Sequence, residues 1–343
     1  MGRQGMRERS PDGLPPSSLR VRLLDHLRRD SNAGCAGSMR IGFGLMKRWA
    51  LLFILLWGRA GAPATAPLPL IQPGARGEQE RASPPLSLEE RGQFSRWSGE
   101  VPAAIRIVSY NVQLGRKLEQ ILALFRTHPE LSRADVLALQ EVVRDRHASH
   151  ARVLAERLGF DYVYLPGKRK GDREIGLALL SRYPLRDVER IVIPQERRRD
   201  DLPRVALGAT LAIGTTKIRL YNVHVQALVP IEMKVRQIEA VLQSALRQAT
   251  PYRLIVGDFN TLTRRDRRAL DRLLREAGFS PALPGSTWTY RRLLIRMTLD
   301  WIYVQNLRVL GSGVAQEVTA SDHRPIWTDV ELPSSDEREA PNT

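Results

Sequence analysis

The chain has 343 residues, 43% of them hydrophobic and six of them Trp, which is enough for one large buried core with extensions. Lys and Arg number 53 against 37 Asp and Glu, and the formal net charge of +16 points to anionic partners such as nucleic acid, lipid headgroups or phosphorylated small molecules; a compositional habit of arginine use is the plainer reading of the same excess. The single cysteine, Cys35, excludes a disulfide framework within one chain, a cysteine-ligated zinc and leaves the chemistry to His, Asp, Glu and Asn.

Residues 1–45 are Arg-rich, punctuated by Gly, Ser and Pro, and without hydrophobic periodicity, and they read as an upstream extension to a protein that starts at Met46. From there Lys47-Arg48, the apolar run 49–57 and the small residues 60–64 make the three-part pattern of a secretory signal peptide over 46–64. The run is too short to span a bilayer, which takes about 20 apolar residues. An exported protein with a mature start near Thr65 is expected; an uncleaved signal anchor that keeps the protein on a membrane is the alternative. Residues 65–100 hold a Pro/Ala/Gly/Glu-rich tether that cannot bury enough apolar surface to fold, although Ser87-Leu88-Glu89-Glu90 fits a capping box and predicts a short helix into the domain. The domain itself spans 101–334, and 335–343 is a disordered tail.

Within the domain, apolar runs and alternation predict strands at 105–111, 136–140, 162–165, 176–181, 188–193, 205–213, 217–224, 253–258, 300–304 and 326–332. Gly214-Thr215-Thr216 reads as a hairpin turn. Helices are predicted at 118–125, 148–158, 231–248 and 267–277, the third with Val235, Ile238, Leu242 and Ala245 at helical spacing. Hairpins mixed with helical crossovers imply an α/β fold with mixed sheets.

Six polar clusters end or interrupt these runs: Ser109-Tyr110-Asn111, Gln140-Glu141, Asn222-Val223-His224, Gly257-Asp258-Phe259-Asn260, Leu299-Asp300-Trp301 and Ser321-Asp322-His323. Reacting groups collect where rigid strands stop, so two histidines, four carboxylates and two amides are expected to share one cleft, a set that suits metal-assisted hydrolysis. Asp258 and Asn260 flank Phe259, so on a strand both point one way while Phe259 packs behind. Asp300 lies inside an apolar strand, where a carboxylate needs a partner.

In this order the clusters resemble the endonuclease/exonuclease/phosphatase superfamily over about 105–332, most specifically through Gly257-Asp258-Phe259-Asn260 and Ser321-Asp322-His323-Arg324-Pro325, with support from Leu139-Gln140-Glu141-Val142 and 176–182. The resemblance implies a four-layer sandwich, two mixed β-sheets face to face with helices outside. It further implies that Asn111, Glu141 and Asp322 serve a divalent ion, Mg2+ or Mn2+, and that His224, Asp258, Asn260, Asp300 and His323 form the catalytic group, with Asp300 orienting His323. Gln113 stands where AP endonucleases carry an acidic ligand, which counts against that subgroup, and Leu177 stands where several relatives have Asn.

Basic clusters occur at 168–170, 197–199, 264–268 and 291–296. Arg264, Arg265, Trp288 and Arg291 are the expected substrate contacts, cations and an aromatic face for a nucleic-acid groove. The expectation is thus a monomeric, exported phosphodiesterase of endonuclease type acting on nucleic acid. A sphingomyelinase-type phospholipid phosphodiesterase is the runner-up, set back because its loops here are basic rather than apolar, and a non-catalytic phosphate-binding domain is the third reading.

Overall fold

The computed structural model describes residues 88–195, 202–285 and 287–333. The expected upstream extension, signal peptide and tail, most of the expected tether, and the arginines at 197–199 lie outside the described residues. In chain order the elements are β1 (Glu90–Gly92), β2 (Ala104–Asn111), α1 (Leu118–Thr127), β3 (Val136–Arg144), α2 (His150–Leu158), β4 (Asp161–Lys170), β5 (Arg173–Ser181), β6 (Leu185–Val192), β7 (Val205–Ile213) and β8 (Thr216–His224). They continue with α3 (Ile231–Arg247), β9 (Arg253–Asp258), α4 (Arg264–Glu276), β10 (Ser280–Pro281), β11 (Tyr290–Arg292), β12 (Ile295–Met297), β13 (Asp300–Gln305), β14 (Val309–Val314) and β15 (Ile326–Glu331).

Two mixed sheets result, ordered β1-β4-β5-β3-β2-β15-β14 and β10-β13-β9-β8-β7-β6, with β11 and β12 as a separate hairpin. The strands are apolar on both faces because each sheet is covered twice. Ile105, Ile107, Val136 and Ala138 of the first sheet pack with Leu207, Leu211, Leu254 and Val256 of the second in one core between them. The alternate residues Val108, Tyr110, Leu137 and Leu139 face Ile121, Phe125 and Leu154 of α1 and α2, while Tyr221, Val223 and Ile255 face Ile238, Leu242, Leu270 and Leu274 of α3 and α4. This is the expected four-layer sandwich. Fully burying each such Ile, Val or Leu stabilises it by about 1.5–3 kcal/mol.

Two local differences have physical causes. Residues 90–92 are an edge strand paired with β4, not a helix, because Glu90 accepts hydrogen bonds from Tyr162 Oη (2.9 Å) and Ser149 Oγ (2.8 Å) across the sheet. Helix α4 begins three residues before its expected start because Thr263 and Asp266 form a reciprocal capping box.

Strand direction decides where the polar clusters meet. Strands β2 and β3 run parallel with Asn111 beside Gln140, and β8 and β9 run parallel with His224 beside Asp258. Strands β13 and β15 run antiparallel to these neighbours, so Asp300 and the 321–323 turn, which precede their strands, arrive at the same edge; Asp300 pairs directly with Asp258.

Candidate active site

Glu141 sits at an irregularity in β3, between Leu139 and Val142, with a left-handed backbone (φ 56°). Such a bulge re-aims one side chain out of the pleat, and here the Glu141 carboxylate accepts from Asn111 Nδ2 at 3.3 Å. The same amide donates to Asp258 Oδ2 at 3.2 Å, so one nitrogen at the end of β2 links carboxylates from both sheets. Asp258 is held by a close crossing of backbones: a Cβ on Gly257 (φ 141°) would lie 2.0 Å from the Val223 carbonyl oxygen, so only glycine permits β8 and β9 to approach this way.

Two imidazoles complete the convergence. His224 Nε2 stands 3.6 Å and His323 Nε2 3.7 Å from Asp258 Oδ2. His323 Nδ1 lies 2.9 Å from Asp300 Oδ2, and that oxygen also accepts from Thr289 Oγ1 at 2.6 Å. Thr289 Oγ1 in turn accepts the backbone N–H of Asp300, which locks the carboxylate. The Ser321 hydroxyl donates to the Asn111 carbonyl and accepts from His323 N–H, tying the turn to β2.

The two histidines are driven apart electrically. Burial lowers His224, and the positive charge of Arg204 lowers it further, so it is neutral near neutral pH. Burial alone would lower His323 as well, but Asp300 and Asp258 outweigh it and raise it to about 10, an imidazolium. Burial pushes Asp258 up to about 7 against the pull of His323, and burial pushes Glu141 up, with Asp322 adding to the rise. Paired groups displaced in opposite directions mark acid and base roles.

Asp258, Asp300 and His323 offer ligand atoms within 4.8 Å of one another. Asp300 is already committed to His323 and Thr289, so this trio suits proton handling. Glu141, Asn111 and Asp322 remain as oxygen donors, and Asp322 acts electrostatically on Glu141. The half-buried Glu141 and the buried Asp258, both drawn onto one amide, offer the hard oxygen donors that suit Mg2+ or Mn2+.

Other expected residues are placed differently. Strand β9 ends at Asp258, and Asn260 takes a left-handed backbone (φ 48°) with its side-chain amide donating to the Val225 carbonyl at 2.8 Å. Its backbone N–H instead donates to Asp258 Oδ1 at 2.9 Å. Trp288 is half-buried, with the guanidinium groups of Arg296 and Arg324 at 5.1 and 5.2 Å from its ring, which makes it a support for cations rather than an open face for a base. Arg264 and Arg265 are exposed on the first turn of α4, Arg265 turned toward Glu232 at 3.5 Å. Arg291 is exposed and its backbone N–H donates to the Asp322 carbonyl. Leu177 packs in the core between the sheets, and the Gln113 N–H donates to Asn111 Oδ1.

Two contributors escaped the sequence reading, and two residues of its polar clusters, Gln140 and Asn222, join the two sheets. Thr289 fixes Asp300. Lys234, 1% exposed on α3, donates to the Asn260 carbonyl and to Asp266 Oδ2 and so ties the strand-end loop to two helices. Gln140 Nε2 donates to Asn222 Oδ1 at 2.7 Å, and Asn222 Nδ2 donates to the Leu139 and Ala178 carbonyls, clamping the two sheets behind the site. A lysine inside the apolar stripe of α3 was the one legible sign among these.

Solved structures share this fold. The described fold is similar to an endonuclease/exonuclease/phosphatase from Beutenbergia cavernae DSM 12333 (18% identity, 68% of this chain, 72% of that chain, TM-score 0.58). It is also similar to D. rerio TDP2 complexed with single strand DNA product (16% identity, 67% and 100% covered, TM-score 0.51) and to ANGEL2, a 2',3'-cyclic phosphatase (17% identity, 66% and 95% covered, TM-score 0.53). No curated protein sequence matches the chain significantly. Residues 108–323 match the Endonuclease/Exonuclease/phosphatase family, a span that holds all six polar clusters, and the chain belongs to that family.

Proposed function

We propose that the protein is an exported, divalent-metal-dependent phosphodiesterase acting as a monomer on nucleic acid. The observation that carries the chemistry is the convergence of His224, His323 and the Asn111 amide on Asp258 Oδ2 at 3.2–3.7 Å, beside the half-buried Glu141. Glu141, Asp322 and Asn111 would hold the ion, which when bound would neutralise phosphate charge and lower the pKa of water. The His323 imidazolium, anchored by Asp300, donates toward a phosphoryl oxygen as charge builds there. Asp258, raised toward neutrality, accepts a proton from the attacking water as the water oxygen bonds to phosphorus. The bond to the leaving oxygen breaks and that oxygen takes up a proton from solvent, while neutral His224 hydrogen-bonds alongside.

The nucleic-acid reading is supported by the basic rim and by the single-strand DNA product named for one structural neighbour. Hydrolysis of a small soluble phosphodiester is expected to require Mg2+ or Mn2+, and Glu141→Gln to raise the half-saturating metal concentration by about tenfold or more, since one ligand loses its charge at constant size. Full activity in excess chelator would sink the reading. A phospholipid phosphodiesterase is the second reading, favoured by two leucines fully or largely exposed beside the site, Leu293 at 68% and Leu294 at 98%.

A further inference from the structure

The hairpin of β11 and β12 is rooted in the catalytic turn. Tyr290, 5% exposed, bridges His323 and packs edge-on against its ring at 5.0 Å; Arg324 N–H donates to the Thr289 carbonyl, and Arg291 N–H to the Asp322 carbonyl. Four residues after Tyr290 the chain reaches Leu294, 98% exposed, so the tip of the hairpin stands in solvent. Its tip is Leu293-Leu294, carried between Arg291-Arg292 and Arg296.

Nothing about the turn itself asks for leucine. Leu293 has a left-handed backbone (φ 53°), a conformation that Asn or Gly adopts at lower cost, and it wins no packing in return. Leu228 repeats the pattern on a different loop: it follows β8, whose last residue is His224, and it combines φ 56° with 47% exposure. Val192, 57% exposed, ends β6 and pairs with Val205 at the start of β7, again at the edge that carries the site. Side chains that break the local rule for their backbone without a folding gain are the places where a surface serves something outside the molecule.

The same edge is basic. Lys168, Arg169 and Lys170 are exposed at the end of β4, Lys168 close enough to act electrostatically on His224, and Arg204 Nη1 donates to the His224 carbonyl at 3.2 Å. Apolar tips set among cations match the boundary of an anionic bilayer, where leucine enters the acyl region and Lys and Arg stay with the headgroups. Nucleic acid offers no such fit, because aliphatic leucine supplies neither a stacking plane nor a donor to phosphate.

We infer that the active-site edge docks on anionic phospholipid membranes, with Leu293 and Leu294 entering the bilayer and Leu228 beside them, so that the cleft opens onto the lipid surface. The inference concerns where the enzyme works and holds whichever phosphodiester it cleaves.

The test is co-sedimentation of the full chain with vesicles of phosphatidylcholine alone and of phosphatidylcholine mixed with phosphatidylglycerol. Binding is expected to the anionic vesicles only, and to weaken as salt screens the basic groups. The variant Leu293→Asn/Leu294→Ser keeps a turn-compatible residue at the left-handed position; it is expected to lower the partition coefficient at least about tenfold through lost apolar transfer, while turnover of a small soluble phosphodiester is unchanged. Leu228→Ser, on its separate loop, is expected to lower partition by a smaller factor and checks the result independently of hairpin folding. Absence of binding to the anionic vesicles, equal partition of both variants and the parent, or a loss confined to DNA affinity each overturns the inference. Failure of metal-dependent turnover with vesicle binding intact would strike the phosphodiesterase reading alone.

Discussion

Glu174 and Asp258 are each almost wholly buried, at 2% and 1% exposure, yet their surroundings are built on opposite plans. Glu174 Oε2 accepts from Arg144 Nε at 2.8 Å and Nη2 at 2.5 Å, while Oε1 accepts from Arg169, so the negative charge is matched by a forked cation and a second guanidinium. Asp258 shares its edge with Glu141, Asp300 and Asp322 and meets two imidazoles, one of which is held neutral. In the first place charge is paired with charge and the fold gains a fixed joint between β3, β4 and β5. In the second, anionic oxygens are brought together beyond what the chain's own cations balance, and the imbalance is what a cation and a phosphoryl group can use. The difference predicts that damage to the first region appears in stability and damage to the second in turnover.

The largest effect is expected from His323→Ala, which removes the imidazolium that Asp300 holds in place. A fall in kcat of about a thousandfold or more is the expected outcome, as for loss of a preorganised charge at a transition state, in a variant that circular dichroism shows to be folded. A variant that retains its turnover, or one that fails only because it no longer folds, would break the distinction between the two regions. Next comes Glu174→Gln, which leaves Arg144 buried with a weaker partner in Glu90 at 3.7 Å. Breaking a buried pair from one side costs about 3–5 kcal/mol, so denaturant unfolding is expected to show a loss of that order while kcat/KM of the remaining folded enzyme stays within about twofold.

What could be read from the chain follows the same division. Strands 205–213 and 253–258 were found to the residue because both of their faces are buried and their apolar runs are unbroken. The edge strand 90–92, the two-residue β10 and the Gly-containing β14, whose Gly311 and Gly313 lie against the Trp327 ring, carry no such pattern. The residue types of the site were legible as polar interruptions at strand ends, but their aim was not. Whether Glu141 points into the cleft depends on a bulge set by its partner strand, and whether Asn260 does depends on where β9 stops pairing; both are properties of long-range register, which local pattern does not encode. Thr289 belongs to the site only because 11 residues separate it from Asp300 across a hairpin.

A subtler prediction uses pH. The folded-state pKa of Asp258 lies above its ordinary value of 3.8, at about 7, because burial disfavours the carboxylate. The native protein therefore holds this proton more tightly than the unfolded chain does, and stability declines as pH rises from about 4 through about 7; above that window the full cost is present. Asp258→Asn removes the cost. In chelator, where no ion offsets the charge, Asp258→Asn is expected to melt about 3 °C or more above the parent at pH 8, as about 1 kcal/mol gives in a domain of this size, and to show little gain at pH 4, all while lacking turnover. Calorimetry at the two pH values checks this, and a variant less stable than the parent at pH 8 would place Asp258 with the paired, fold-stabilising charges.

The smallest effect is expected outside both regions, on the exposed arginines of α4. If nucleic acid runs across this surface, each phosphate contact releases a counterion, and the logarithm of DNA affinity falls with the logarithm of salt by about 0.7–0.9 per contact. Arg265 is partly engaged by Glu232 at 3.5 Å, with side chains 80% and 64% exposed, an ion pair too open to hold it firmly. Arg264→Ala/Arg265→Ala is therefore expected to flatten the salt slope by about one to two units, with turnover of a small phosphodiester unaltered because neither side chain reaches the Asp258 cluster. Fluorescence anisotropy with labelled single-stranded DNA over a salt series measures the slope. An unchanged slope would remove α4 from the nucleic-acid path and leave the basic groups around Lys168 and Arg291 to carry it. A DNA affinity that does not respond to salt in the parent protein would reject the polyanion reading altogether, and with it the claim that the rim of this site is charged for nucleic acid.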